Sequence, residues 1–196
     1  MVAARQNHRV SEAEYLDMEL RADHRSEYWN GAIIAMAGSS AGHNQILRNL
    51  TRVLGPVLAS AHCEQYLSDT RLYSQECQAY FYPDSQIVCG EAHNAKTEAE
   101  TLLNPTVVIE VPSKSTEATD RGYKFECYRT IASLQAYVLI DQYAYAIDVH
   151  TREPDGSWRE TFVRGQDAML DLSLCGVMAP LSKVYEGVEV EGNSVR

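Results

Sequence analysis

The stretch TVVIEVPSKSTEATDRGYKFECYRTI, residues 106–131, decides the fold. Its first six residues form a short, unbroken run rich in β-branched side chains, the mark of a strand buried on both faces. The polar stretch PSKSTEATD (112–120) follows and leads into GYKFECYRTI (122–131), which reads as a helix. A buried strand feeding a helix is a building unit of an α/β sheet with helices on its faces.

Working outward, AYVLID (136–141) is a second buried strand, AYAIDVH (144–150) its neighbour, and PDGS (154–157) a turn into a strand over residues 158–163. A short element near residues 169–172 completes the sheet, and LSKVYEG (181–187) reads as a last helical turn. Upstream, Ser11 and Glu14 make a capping-box pair, so a helix starts there and runs through Tyr15, Leu16 and Leu20. Asn30-Gly31 between two apolar runs is a strong hairpin signal, pairing residues 27–29 with 32–37. Ile46, Leu47, Leu50, Val53, Leu54, Val57 and Leu58 recur at helical spacing, and Pro56 is expected to kink or divide that helix. Strands are expected around residues 63–67, 69–74 and 85–88, with 91–104 as loop. No repeat, low-complexity tract or linker interrupts the pattern. The expectation is a single α/β domain over residues 1–196, a mixed β-sheet core flanked by helices, with loose termini at 1–10 and 189–196.

The 196 residues bury enough surface to fold without staples. Lys plus Arg number 17 and Asp plus Glu 27, a formal charge of −10, which argues against a protein that grips nucleic acid over a wide basic surface. A local basic patch, or an acidic cluster that holds a metal, remains compatible with that balance. The five cysteines include no CxxC and no Cys/His pair at zinc spacing. MVAARQNHRV lacks an apolar signal core, and no window approaches a membrane span. These features predict a cytoplasmic protein with reduced, mostly buried thiols and no membrane partner.

Glu110 stands inside TVVIEV with Val108 on its own face and Val107, Ile109 and Val111 on the other. A lone carboxylate there costs several kcal/mol unless it is paired, protonated or bound to a cation. An arginine such as Arg121 or Arg129 is one candidate partner; a functional cation is the other. Asp84, in YFYPDSQIV, follows a proline, which is ordinarily only a turn opening a strand. Together, two carboxylates converging from adjacent strands would form a hard oxygen site suited to magnesium. Lys124 shares a helix face with Tyr128, and if that helix crosses the sheet near Glu110 its ammonium points at the same pocket. Glu27 opens the hairpin, where an exposed charge is the ordinary case. His43 heads the long helix, where a structural or solvated histidine is the ordinary case.

The stretches SEYWNGAIIAMAGSSAGHNQI, YPDSQIVCG, LLNPTVVIEVPSKSTEATDRGYKFECYR and SLQAYVLID occur in the order and spacing of a known family. From about Tyr15 to Val188 the chain resembles the bacterial Uma-two family of restriction-endonuclease-like proteins, in the PD-(D/E)xK nuclease superfamily. The resemblance implies a restriction-endonuclease-like fold. It implies that Pro83-Asp84 is the PD motif, that Glu110 is the acid of (D/E)xK, and that Glu27 is an additional acid. The motif's lysine position holds Pro112, and the resemblance implies that the lysine has moved to the next helix as Lys124. Lys114 is the lower-ranked alternative. Pro112 and Ala136 depart from the family pattern without removing a proposed ligand.

The activity so implied is metal-dependent endonucleolytic cleavage of nucleic acid, DNA foremost. Asp84, Glu110 and the Val111 carbonyl would hold Mg²⁺ or Mn²⁺, Lys124 would orient water or offset charge, and Glu27 would tune the metal. A homodimer would match the two-fold symmetry of a duplex. The alternatives are a catalytically weak or inactive nuclease-fold protein that binds nucleic acid without cutting, and an interaction protein in which Glu110 and Lys124 form a buried ion pair.

Overall fold

The computed structural model describes residues 9–36, 38–95 and 100–190. The expected loose ends at 1–8 and 191–196, the hairpin's last residue, Ala37, and loop residues 96–99 lie outside that set.

α1 (Glu12–Arg21) starts at Ser11, whose hydroxyl accepts from the amide of Glu14 while the Glu14 carboxylate accepts from the amide of Ser11. The capping box read from sequence is therefore closed. β1 (Ser26–Trp29) and β2 (Ala32–Ala35) form the hairpin, with Asn30 and Gly31 at φ 42° and 99°, the positive values that a tight two-residue turn demands. α2 (Ala41–Ser60) is capped by Ser40. Pro56 does not divide it; the proline stands on the exposed side of the helix.

The strands that follow are β3 (Cys63–Leu67), β4 (Arg71–Ser74), β5 (Ala79–Phe81), β6 (Ser85–Cys89), β7 (Thr101–Leu102) and β8 (Val107–Glu110). A continuous helical segment then runs over residues 117–128: α3 (Glu117–Thr119), a widened π-helical turn (Asp120–Lys124) and α4 (Phe125–Tyr128). β9 (Ala136–Ile140), β10 (Ala146–Arg152), β11 (Trp158–Arg164), β12 (Met169–Leu172), β13 (Val177–Pro180) and α5 (Leu181–Val184) complete the order.

Six strands make a mixed sheet in the order β11-β10-β9-β8-β6-β3, and five make a second in the order β2-β1-β5-β4-β7. β8 pairs parallel with β9 and antiparallel with β6. The expected mixed α/β architecture is the one found. β12 does not complete the large sheet; it pairs only with β13 in a sheet of two, because its buried Leu170 and Leu172 pack onto the α2 side.

β8 is the centre of the molecule. Val107, Ile109 and Val111 pack against Ile46, Leu50, Leu54 and Leu58 of α2. Val108 faces the other way, with Tyr137 and Leu139 of β9 and with Cys127 and Tyr128 of α4. Each fully buried aliphatic side chain contributes about 1.5–3 kcal/mol, so this two-sided packing fixes the strand and whatever stands at its end. The expectation of reduced thiols is corrected: Cys63–Cys89 joins opposed positions of β3 and β6, Cys77–Cys127 ties the β4–β5 turn to α4, and Cys175 is free and buried. Among the described residues, no helix is long and apolar enough to cross a membrane.

Candidate active site

The antiparallel pairing of β6 and β8 puts Ser85 opposite Ile109. One step further out, where the ladder ends, stand Asp84 and Glu110. The Asp84 amide donates to Glu110 Oε2 at 3.1 Å, and the Val111 amide donates to Asp84 Oδ2 at 2.8 Å. The second Asp84 oxygen, Oδ1, lies 3.0 Å from His43 Nε2, brought in by the first turn of α2.

The helical segment supplies the cation. Lys124 Nζ lies 3.2 Å from Glu110 Oε1, 3.0 Å from Glu27 Oε1 and 3.3 Å from Asp120 Oδ1. Tyr128, one turn on, donates its hydroxyl to the same Glu110 Oε1 at 2.9 Å. Glu27 reaches the cluster from β1 and is held by the Tyr82 amide at 3.2 Å and the Trp29 indole N–H at 3.2 Å. The widened turn that carries Asp120 and Lys124 is of a kind frequent at functional sites. Its first carbonyl, that of Asp120, accepts from the Tyr137 hydroxyl at 2.9 Å.

The structure thus brings Asp84, Glu110, Lys124, Glu27 and Val111 to one half-open cavity of about 420 Å³. Arg121 and Arg129 do not reach Glu110: Arg121 pairs with Glu117 and Asp148, and Arg129 with Glu126. Lys114 is exposed and lies 5.0 Å over the Tyr143 ring, outside the acid cluster. His43, read as structural or solvated, is buried and in contact with Asp84. Asp120 was missed altogether, although its i,i+4 spacing to Lys124 is visible in the sequence. Gln142 was missed as well; its amide donates to the Pro112 carbonyl at 2.8 Å and accepts from Ser40 at 2.6 Å, tying the loop after β8 to the start of α2.

Glu110 is 3% exposed and Lys124 9%. Burial, which outweighs the opposing pull of Lys124, together with the charges of Asp84, Asp120 and Glu27, pushes the Glu110 carboxyl well above its usual range. Burial pulls the Lys124 ammonium down, but Glu110, Glu27 and Asp120 more than offset it and hold it well above its ordinary value. Burial also lowers the His43 imidazole, and the hydrogen bond and charge of Asp84 raise it further than burial lowers it. The cavity gathers four carboxylates around one lysine, so negative charge is in surplus. Asp120 Oδ1 is buried and, although close to Lys124, receives no aligned hydrogen bond.

These features suit a divalent cation. Among the described residues no three His, Cys, Asp or Glu side chains form a ready-made ligand shell. Magnesium, however, keeps several waters and needs only one or two carboxylates. An excess of acid and a buried Asp120 oxygen that receives no aligned hydrogen bond fit such an ion.

The chain matches the Uma2 family over residues 12–180. It is 37% identical to an uncharacterized protein of Synechocystis sp. over 164 residues, 84% of this chain and 93% of that protein. It is 33% identical to a second uncharacterized Synechocystis protein over 180 residues, 92% of this chain and 93% of that protein. A crystal structure from Anabaena variabilis, described as a "putative nuclease", superposes with a TM-score of 0.69 at 18% identity, covering 87% of this chain and 96% of that one; the likeness is one of fold. With residues 12–180 matched, this chain belongs to the Uma2 family, described as "Putative restriction endonuclease".

Proposed function

We propose that the protein is a metal-dependent endonuclease that hydrolyses phosphodiester bonds of nucleic acid, DNA foremost, at the cavity floored by Asp84, Glu110 and Lys124. The observation that carries the reading is the gathering of four acidic side chains, Glu27, Asp84, Glu110 and Asp120, in one cavity with a single lysine and a histidine, an excess of acid that a dication would offset. Asp84 and Glu110, with the Val111 carbonyl beside them, would hold Mg²⁺ or Mn²⁺. When bound, such an ion acidifies water and offsets charge on the phosphate.

The chain's own residues have distinct tasks. Lys124 holds a positive charge at the cavity floor, within reach of a phosphate oxygen or an attacking water. Tyr128 and the Asp84 amide fix the Glu110 carboxylate from both sides, and His43 and the Val111 amide fix Asp84. Glu27 limits how far Lys124 can swing.

A second reading has one observation in its favour: both Asp84 oxygens and both Glu110 oxygens already have protein partners. On that reading the cluster is a metal-free ion network in a nuclease-fold protein that binds without cutting. Incubation with single-stranded and duplex nucleic acid, with and without Mg²⁺ or Mn²⁺, separates the two. Metal-dependent cleavage that disappears in Glu110→Gln supports hydrolysis. No cleavage of any substrate, and no Asp84-dependent heat on titration with Mg²⁺, supports the second reading.

A further inference from the structure

We infer that the site takes an unstacked, single-stranded nucleotide segment rather than a continuous duplex; the inference rests on the nuclease reading of the same cavity. Three of the four acids in the half-open cavity of about 420 Å³, Glu27, Glu110 and Asp120, are buried, and Asp84 is partly exposed. A cleft of that volume suits one small group, such as a single nucleotide, better than a stacked base pair. A duplex would have to give up its stacking locally for its backbone to reach the floor.

The charge of the cavity points the same way. Duplex binding draws its affinity from many Lys and Arg contacts to phosphates. Among the described residues, the basic side chains lining this cavity are Lys124 and His43, and both are already paired with carboxylates. The whole chain carries −10. Without a basic rim, recognition falls to other contacts.

Those contacts are aromatic. Tyr143 is half-buried at the cavity wall with Lys114 over its ring at 5.0 Å, on the loop that follows β8. Trp29 lies in the wall from β1, locked by its indole bond to Glu27 and by Tyr123 at a ring separation of 4.7 Å. A fixed Trp29 ring and a half-buried Tyr143 ring beside one exposed lysine are components of a stacking platform for single strands, which tolerates any base. Tyr143 would stack the base, Lys114 would meet a neighbouring phosphate, and the sugar–phosphate link would lie over the acids.

The test uses a short fluorescently labelled oligonucleotide, as DNA or RNA single strand and as duplex, titrated with the protein in Ca²⁺ and read by anisotropy. The single strand should bind at least about tenfold more tightly than the duplex, and Tyr143→Ala should lose about tenfold of it at unchanged Tm. Lys114→Ala should reduce the salt slope by about one. Comparing the DNA and RNA arms tells which sugar is preferred. Equal or tighter duplex binding, no binding of either form, or an unaffected Tyr143→Ala protein overturns the inference. In Mg²⁺ or Mn²⁺, faster cutting of single strands and bubbled duplexes supports it, and preferential duplex cutting overturns it while leaving hydrolysis intact. Selective single-strand binding with no cutting leaves this inference standing and removes the hydrolytic reading.

Discussion

The backbone amide of Asp84 donates to Glu110 Oε2 at 3.1 Å, so the two acids at the end of the β6–β8 ladder are fastened to each other through the main chain. The Val111 amide and His43 also meet Asp84, and the Tyr128 hydroxyl meets Glu110. The remaining negative charge must be met from the other side, by Lys124 and, on the proposed reading, by a dication.

Glu110→Gln tests that arrangement. The amide side chain removes one buried charge and keeps one acceptor, toward either Tyr128 and Lys124 or the Asp84 amide, while its NH2 faces the other donor. Cleavage is expected to fall about 10²–10³-fold, the scale of losing one preorganised electrostatic group. Folding stability should change little, because the loss of a charge that burial disfavours is set against a buried donor left facing the amide NH2. The checks are a cleavage assay and urea unfolding; a protein that unfolds more easily yet still cuts would contradict the assignment.

Lys124→Met is expected to lower stability. It strips the shared cation from Glu27, Glu110 and Asp120. Breaking a buried pair by removing one partner costs about 3–5 kcal/mol. Mg²⁺ should recover part of that loss in the variant by supplying positive charge to the same oxygens. Thermal unfolding with and without the ion measures it, and a variant as stable as the parent would show that the lysine is not the counter-charge.

His150 gives a pH dependence away from the acids. Its ring packs 4.3 Å from Phe125 and 6.0 Å from Tyr137, and burial lowers its pKa against the weaker pull of Glu160 and Asp148. The folded protein therefore resists a proton that the unfolded chain accepts. The stability His150 contributes is complete above its ordinary value near 6.5 and is lost as pH falls through the depressed one. Each unit of pH in that window costs up to about 1.4 kcal/mol, and His150→Gln should flatten the slope. Urea midpoints at several pH values decide it; an unchanged slope in the variant would remove His150 as the cause.

The bridge between Cys77 and Cys127 closes a loop of sequence separation 50, for which chain entropy predicts about 4 kcal/mol of stabilisation. Cys127 neighbours Tyr128 on α4, so reduction should also loosen the grip on Glu110. Cys77→Ser, compared with the parent in oxidising and reducing buffer, should lower Tm and lower cleavage together. Loss of Tm without loss of cleavage would show that the sheet alone positions the helix.

What was legible in the sequence was local. The unbroken run at Val107–Glu110 named its own strand, and Asn30-Gly31 its own turn. β5 escaped because three residues, AYF, are too few to show a period and run straight into YPD. β12 was given to the wrong sheet because strand character says nothing about which edge a strand will join. Asp84, Glu110, Lys124 and Glu27 were nominated through an ordered set of motifs, but their meeting depends on β1, β6, β8 and a helix converging. His43 and Asp120 look solvated on helical patterns, and only the fold shows that each faces an opposite charge. The cysteine pairs, 26 and 50 residues apart, carry no local signature.

The π-helical turn at Asp120–Lys124 has a further consequence. Each residue of a regular helix advances its side chain by about 100° around the axis. Upstream of Lys124 the phase is set by Tyr137, clasped to the Asp120 carbonyl; downstream it is set by the sulfur tether at Cys127. The azimuth of the ammonium is thus encoded in how many residues lie between two fixed posts, not only in which residue carries the charge. Excising Gly122 should leave the far-ultraviolet signature of the sheet intact and yet swing the lysine off its acids, a defect that no side-chain substitution would repair.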